Sequence, residues 1–177
     1  IFKYNETAGI ATLDPAFAKD QATIWATNQL FNGLVQLDNK LNVIPSIAKR
    51  WEISNDALVY TFILRSDVLF HNHELFQNGK GRKVVAKDFE YSFYRLLDKN
   101  IAAPGAWILS NVDTFSALND TTFSIKLKKP FPAFLSLLSM QYCSVVPKEI
   151  VEEREFNKNP IGTGPFQFQL WEDGVKL

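Results

Sequence analysis

Two histidines, His71 and His73, stand two residues apart. That spacing puts both rings on one face only if the segment is a strand. A metal site usually needs three or four ligands, and there is no third histidine and no cysteine partner here, so a surface loop is the plainer reading. Glu152, Glu153 and Glu155 invite a carboxylate pair for hydrolysis, but they lie in a charged helical stretch and read as a solvated face. Asp88 and Glu90 sit two apart in a helical pattern and do not face one another. Gly162 and Gly164, flanked by Pro160 and Pro165, come nearest to a phosphate loop. No lysine follows the second glycine and no GxGxxG is present, so a nucleotide site fails. Their expected role is conformational, the glycines permitting positive φ while the prolines stiffen a turn. Cys143 is the only cysteine, which excludes an internal disulfide framework, a CxxC motif and a four-cysteine zinc site. No cofactor is expected.

These residues sit in a chain of 177 residues, enough for one large domain or one and a half small ones. Apolar residues make up 46% and aromatics 14%, with fifteen Phe and four Trp, so the core should rely on rings and some rings could line a binding surface. Nineteen basic residues balance nineteen acidic ones without a basic stripe, which argues against a nucleic-acid partner, since phosphate binding needs a concentrated cationic face. No run approaches the ~18 to 20 apolar residues that span a bilayer. The sequence begins at Ile1 with neither Met nor a charged leader, a start that fits a processed or trimmed chain and leaves export open.

Elements follow from periodicity. Ile1 to Glu6 alternate and predict a strand. After the turn at Leu13-Asp14-Pro15, Asp20 is placed to cap a helix to about Phe31, with Ile24, Asn28 and Phe31 on one side and Asn32-Gly33 as the stop. Leu34 to Leu37 predict a short strand closed at Asp38-Asn39. Trp51–Ser54 and Tyr60–Arg65, joined at Asn55-Asp56, predict a hairpin. His71 to Arg82 predict an exposed loop. Ala86 to Asp98 predict a helix with Phe89, Phe93, Leu96 and Leu97 inward, and Pro104 opens a shorter helical turn carrying Trp107. Thr122 to Leu127 alternate cleanly, the pattern of a strand with one wet face. Pro130 and Pro132 open a helix through about Ser139, Ser144 to Val146 predict a buried strand ended by Pro147, and Phe166, Phe168 and Leu170 a last strand after a rigid turn at Asn159–Phe166. The fold class is α+β with short strands.

Five ordered segments resemble solute-binding proteins of the peptide/nickel class, the ligand-capturing subunits of ABC importers. They are Leu13-Asp14-Pro15 with its helix and Asn32-Gly33-Leu34-Val35; Pro45 to Ser54; Tyr60 to Arg65 with Val68-Leu69-Phe70-His71; Val84 to Phe93; and Asn159 to Phe166. The resemblance covers nearly the whole chain. It implies a part of a two-lobed periplasmic-binding-protein-like fold: residues 1–37 begin the first lobe, 38–147 form an inserted α+β subdomain, and 148–177 return to the first lobe. Members are much longer than this chain, and the second lobe is absent from it.

The same resemblance implies a function without covalent chemistry. A peptide-like solute is captured in a cleft and buried by lobe closure, then delivered to an ABC permease in the membrane. It also implies a monomer and an extracytoplasmic, periplasmic location, with lipid attachment through a cysteine ahead of Ile1 as an added expectation. Trp107 aligns with a position where nickel-type relatives place a cleft tryptophan; its ring could stack on ligand or hold a cation, or simply pack on a helix face. Gln141, Tyr142 and Cys143 precede a strand used at the cleft. Cys143 stands where nickel-type members have an arginine, and a thiol cannot make that bidentate carboxylate contact, so peptides are preferred over a metal chelate. Lys19, Asp20 and Gln21 lie in the loop where peptide-binding relatives meet ligand backbone, with Asp20 as helix cap and Lys19 as a possible carboxylate partner. A receptor for a metal chelate or oligosaccharide, a glycoside-hydrolase-like enzyme and a structural interaction domain are the competing readings.

Overall fold

Alternating apolar residues build one antiparallel sheet, and a helix with an aromatic stripe covers it. In the computed structural model, residues 9–153 and 155–172 are described; the strand expected at residues 1–6 lies outside them. Strands β3 (Ala48–Ile53), β4 (Val59–Leu64), β5 (Val112–Asn119) and β6 (Thr122–Leu127) pair in the order β3-β4-β6-β5. In the central pair Phe62 stands opposite Phe123 and Tyr60 opposite Ile125, and every second residue of β4 and β6 is buried. Helix α2 (Ala86–Leu97) lays Phe89, Phe93 and Leu96 on this layer. Phe93 meets Phe115 and Phe123 edge-on with centroids 5.6 and 5.5 Å apart. Each such buried ring contributes roughly 1.5–3 kcal/mol over its exposed state, so this cluster is the main source of stability.

A second, two-stranded sheet pairs β1 (Val35–Leu37) with β2 (Val43–Pro45) across a turn in which Asp38 accepts from the backbone N–H groups of Lys40 and Asn42. Helix α1 (Gln21–Leu30) begins at Asp20, whose Oδ1 accepts from Thr23 N at 2.9 Å, the predicted cap. Its buried face is Ala22, Thr23, Thr27 and Leu30; of the three residues expected on one side, Phe31 is buried, Ile24 half-buried and Asn28 exposed. Thr27 can hide its hydroxyl because Oγ1 donates to Thr23 O at 2.7 Å. Short helices α3 (Phe134–Leu137) and α4 (Lys148–Glu153) complete the set.

Several expectations are corrected. Leu97 is 41% exposed and leaves the α2 stripe. Ser144 to Val146 are buried but form no strand; Val145 N donates once, to Asn32 O, and the chain then runs on into α4. The helix after Pro132 holds four residues only. Phe166 to Leu170 join no named strand. The loop from His71 to Arg82 is less exposed than predicted, because Phe76 is buried against Phe70 with their rings stacked at 6.1 Å.

The glycine reasoning also changes. Gly162 and Gly164 do not adopt positive φ. They are glycines because the turn is pressed onto the end of α1: a Cβ on Gly162 would lie 2.0 Å from Leu30 O, and one on Gly164 would lie 2.4 Å from Gln29 O. That contact leaves room for Gly164 N and Phe166 N to donate to Leu30 O and Gln29 O, carbonyls at the end of α1.

Candidate functional site

Three non-repetitive segments meet at one edge of the molecule. Asp14 caps a short 3-10 helix, Pro15–Phe17, by accepting from Ala16 N at 3.0 Å, and the chain then passes Lys19 to reach the start of α1. A second 3-10 helix, Pro104–Leu109, carries Trp107. A third, Gln141–Cys143, carries the remaining predicted residues. Pro15–Phe17 packs on both of the others.

Gly105 is the contact that sets this edge. A Cβ there would fall 2.2 Å from Tyr142 Cγ, so the absence of a side chain lets Tyr142 pack directly against Gly105. Tyr142 is half-buried, and its hydroxyl pKa is raised, first by burial and then by the negative charge of Asp20. Tyr142 and the Gly105 backbone are therefore brought together, and the charge of Asp20 acts on the Tyr142 hydroxyl. Trp107, two residues beyond Gly105, is 54% exposed and so leaves a large ring surface open to contact. Lys19 and Gln21 are exposed beside Asp20.

The other two predicted residues have different settings. The Gln141 carboxamide donates to Asn28 Oδ1 and accepts from Ser144 Oγ at 3.1 Å, which ties the third segment to α1. It also borders a polar groove of about 320 Å³ that includes Asn28, Asn32, Gln36 and Ser144. Cys143 is buried, its thiol lies 3.9 Å from Leu137 O, and burial pushes its pKa up to about 12. It packs behind the edge as an uncharged thiol rather than lying on it.

The residues weighed for other chemistry are occupied elsewhere. His71 Nε2 lies 2.8 Å from Gly164 O, while His73 Nδ1 accepts from Leu75 N at 3.2 Å, so the two rings serve separate backbone contacts. Among the described residues no group of three or more His, Cys, Asp or Glu could hold a metal ion. Glu152 lies 3.7 Å from Lys148 and Glu155 3.3 Å from Lys158, pairs on exposed side chains that fit a solvated face.

Sequence reasoning missed two ion-pair assemblies. Arg82 donates to both oxygens of Asp88 at 2.9 and 2.7 Å and also to Glu149, whose pKa the guanidinium lowers. Arg95 donates to both oxygens of Asp14 at 3.0 and 2.5 Å, with the two side chains 11% and 4% exposed. Their partners lie up to 81 residues apart in the chain, a separation at which no local pattern gives a signal.

A family model described as bacterial extracellular solute-binding proteins, family 5 Middle, matches residues 42–177. The chain is 31% identical over 169 residues to the dipeptide-binding protein of Escherichia coli (strain K12), a match covering 84% of this chain and 31% of that protein. Among solved structures, the periplasmic binding protein DppA from Helicobacter pylori in complex with the peptide STSA aligns with a TM-score of 0.83 and 33% identity, over 93% of this chain and 36% of that one. NikZ from Campylobacter jejuni in complex with Ni(L-His) aligns with a TM-score of 0.77 and 34% identity, over 95% and 32%. The chain thus spans about a third of the length of the relatives it matches, and its α+β fold corresponds to a portion of a periplasmic binding protein.

Proposed function

This chain belongs to the bacterial extracellular solute-binding proteins of family 5, a family of binding proteins and not of enzymes, and from that premise we propose that it supplies one wall of a cleft that captures a peptide-like solute. Residues 1–37 and 148–177 are assigned to the first lobe and 38–147 to the inserted subdomain. The complete protein closes its lobes on the solute, presents the closed form to an ABC permease, and acts as a monomer outside the cytoplasm. Among the described residues no helix is long and apolar enough to cross a membrane.

The observation that carries the reading is the meeting of three segments at one edge, with Tyr142 seated on Gly105 and Trp107 exposed on the same short helix as that glycine. A half-exposed tryptophan, two residues along the chain from the glycine on which a tyrosine is seated, offers apolar area at little entropic cost. Lys19, Asp20 and Gln21 add one positive, one negative and one neutral polar group, a set suited to the termini and amides of a peptide. Cys143 brings no charge to this wall, which favours a peptide over a chelate that needs a cationic carboxylate anchor. Peptide binding in relatives, as in the dipeptide-binding protein and the STSA complex, supports the same choice.

Native mass spectrometry of the complete protein, purified gently from its own host, tests this. A co-purifying set of short peptides, released on unfolding, is the expected result. A single chelate or sugar in their place keeps the receptor function and overturns the ligand class. No bound solute, together with no binding in a peptide-library screen, overturns the proposal.

A further inference from the structure

We infer that Arg95 is a positioning residue for the cleft edge: its fork on Asp14 fixes where the Asp14–Gln21 loop places Asp20 at the start of α1. This rests on the receptor reading above for its functional consequence, though not for its geometry. The Asp14 carboxylate is 4% exposed and takes donors from Arg95 Nη1, Arg95 Nη2 and Ala16 N. Two parallel N–H···O bonds fix both the distance and the plane of the carboxylate, which a single point charge would not do.

From Asp14 the geometry passes along the chain by short steps. Phe17 N donates to Asp14 O, Ala18 N to Pro15 O and Lys19 N to Phe17 O at 2.8 to 3.2 Å, and Asp20 then caps α1. A shift of the Asp14 carboxylate therefore moves the whole run that ends at Asp20. Arg95 itself is anchored from behind, its guanidinium carbon 5.9 Å from the Phe156 ring centroid. Its Nε is buried with no partner among the described residues. The side chain is thus arranged around the fork on Asp14, to which both of its terminal nitrogens donate.

Arg82 provides the control. It makes an equivalent fork, on Asp88 at the other end of α2, with Glu149 as its second partner and no hydrogen bond to the Asp14–Gln21 loop. The experiment compares the complete protein with Arg95→Lys, Arg95→Met and Arg82→Met. Hydrogen exchange is measured at the amides of Ala16 to Gln21, and affinity for tri-alanine by calorimetry. Both Arg95 variants should exchange about tenfold faster at these amides and bind tri-alanine about tenfold more weakly, whereas Arg82→Met stays close to wild type in both. Should Arg95→Met fail to fold, Arg95→Lys carries the test, since it keeps the charge and removes only the fork. Wild-type exchange in Arg95→Lys, or an equal loss of protection at Ala16 to Gln21 in Arg82→Met, overturns the inference. If the wild-type protein binds no tri-alanine or other short peptide, the peptide reading fails on its own, and the exchange rates still decide whether Arg95 holds the loop.

Discussion

Replacing Gly162 by alanine should be among the most damaging single-methyl additions in this protein. Its φ is not in the left-handed region, so the effect is one of space and not of backbone strain. The added Cβ would sit 2.0 Å from Leu30 O, 2.7 Å from Phe31 Cδ1 and 2.9 Å from Leu30 C, where ordinary contact begins near 3.4 Å. The gap to be opened is therefore 3.4 − 2.0, about 1.4 Å, against backbone and not against a flexible side-chain end. Overpacking of this kind costs roughly 1–3 kcal/mol. The turn cannot withdraw freely, because Gly164 N to Leu30 O at 2.8 Å, Phe166 N to Gln29 O at 3.0 Å and His71 N to Gly162 O at 2.9 Å all hold it. Losing one of these adds about 1 kcal/mol, and the stiffer unfolded chain returns about 0.4–1 kcal/mol. The net expectation is a loss of about 2–3 kcal/mol, read by urea titration with circular dichroism. Gly79→Ala is the contrast: φ is 70° there and nothing lies within 4 Å, so only the left-handed penalty of about 1 kcal/mol applies. If Gly162→Ala unfolds no more easily than Gly79→Ala, close packing against α1 is not what this glycine is for.

Other expectations separate local from distant effects. Asp20→Ala should cost about 1 kcal/mol through loss of the cap on Thr23, and Asp20→Ser should recover most of it; thermal melts of the two variants check this. Trp107→Ala should leave stability within about 0.5 kcal/mol because the ring is largely exposed, while weakening peptide affinity about tenfold. Calorimetry showing unchanged affinity would remove Trp107 from the site. Cys143 should resist thiol reagents in the folded protein and react at once in urea. Because its pKa is raised from 9.0 to about 12 in the folded state, the native protein keeps a proton that the unfolded chain gives up. Its contribution to stability is complete below pH 9.0, declines above it, and is gone as pH passes about 12; urea midpoints followed upward from neutral pH should fall in that window.

How much of this was legible depends on the range of each interaction. Helix α2 could be seen because Phe89, Phe93 and Leu96 repeat at the helical spacing, and β4 and β6 because they alternate. β5 escaped because its burial does not alternate: Val112 and Phe115 are buried, with exposed or half-buried residues between and after them and two register shifts against β6. β2 holds three partly exposed residues and ends in proline, too short for any period to declare itself. The apolar run at Ser144–Val146 correctly marked burial, yet a buried run does not say which backbone groups pair, and only one ladder-like bond forms. At the site, the cap at Asp20 was visible because its partner is three residues away. The seating of Tyr142 on Gly105 and the fork on Asp14 were not, since both join segments that the sequence keeps far apart.

The two arginine forks, one buried at Arg95 and one half-buried at Arg82, suggest why charge is placed so close to a core built on rings. Arg82 ties the first turn of α2, through Asp88, to α4, and Arg95 ties its last turn to the Asp14 loop. A helix lying on a sheet by Phe–Phe contacts alone could roll or slide at little cost, because apolar contact is non-directional. Forks at both ends remove that freedom, since each requires one plane and one distance. Replacing either pair with apolar residues of similar volume could leave stability unchanged or raise it, but the helix would lose its fixed rotation over the sheet. Stability and placement are thus assigned to different side chains, the aromatic stripe giving the first and the arginines the second. For a wall whose work is to hold Asp20 and its neighbours in fixed relation to an opposing lobe, the fork that binding depends on is the one at Arg95, which reaches the Asp14–Gln21 loop. The fork at Arg82 fixes α2 against α4 and does not reach that loop.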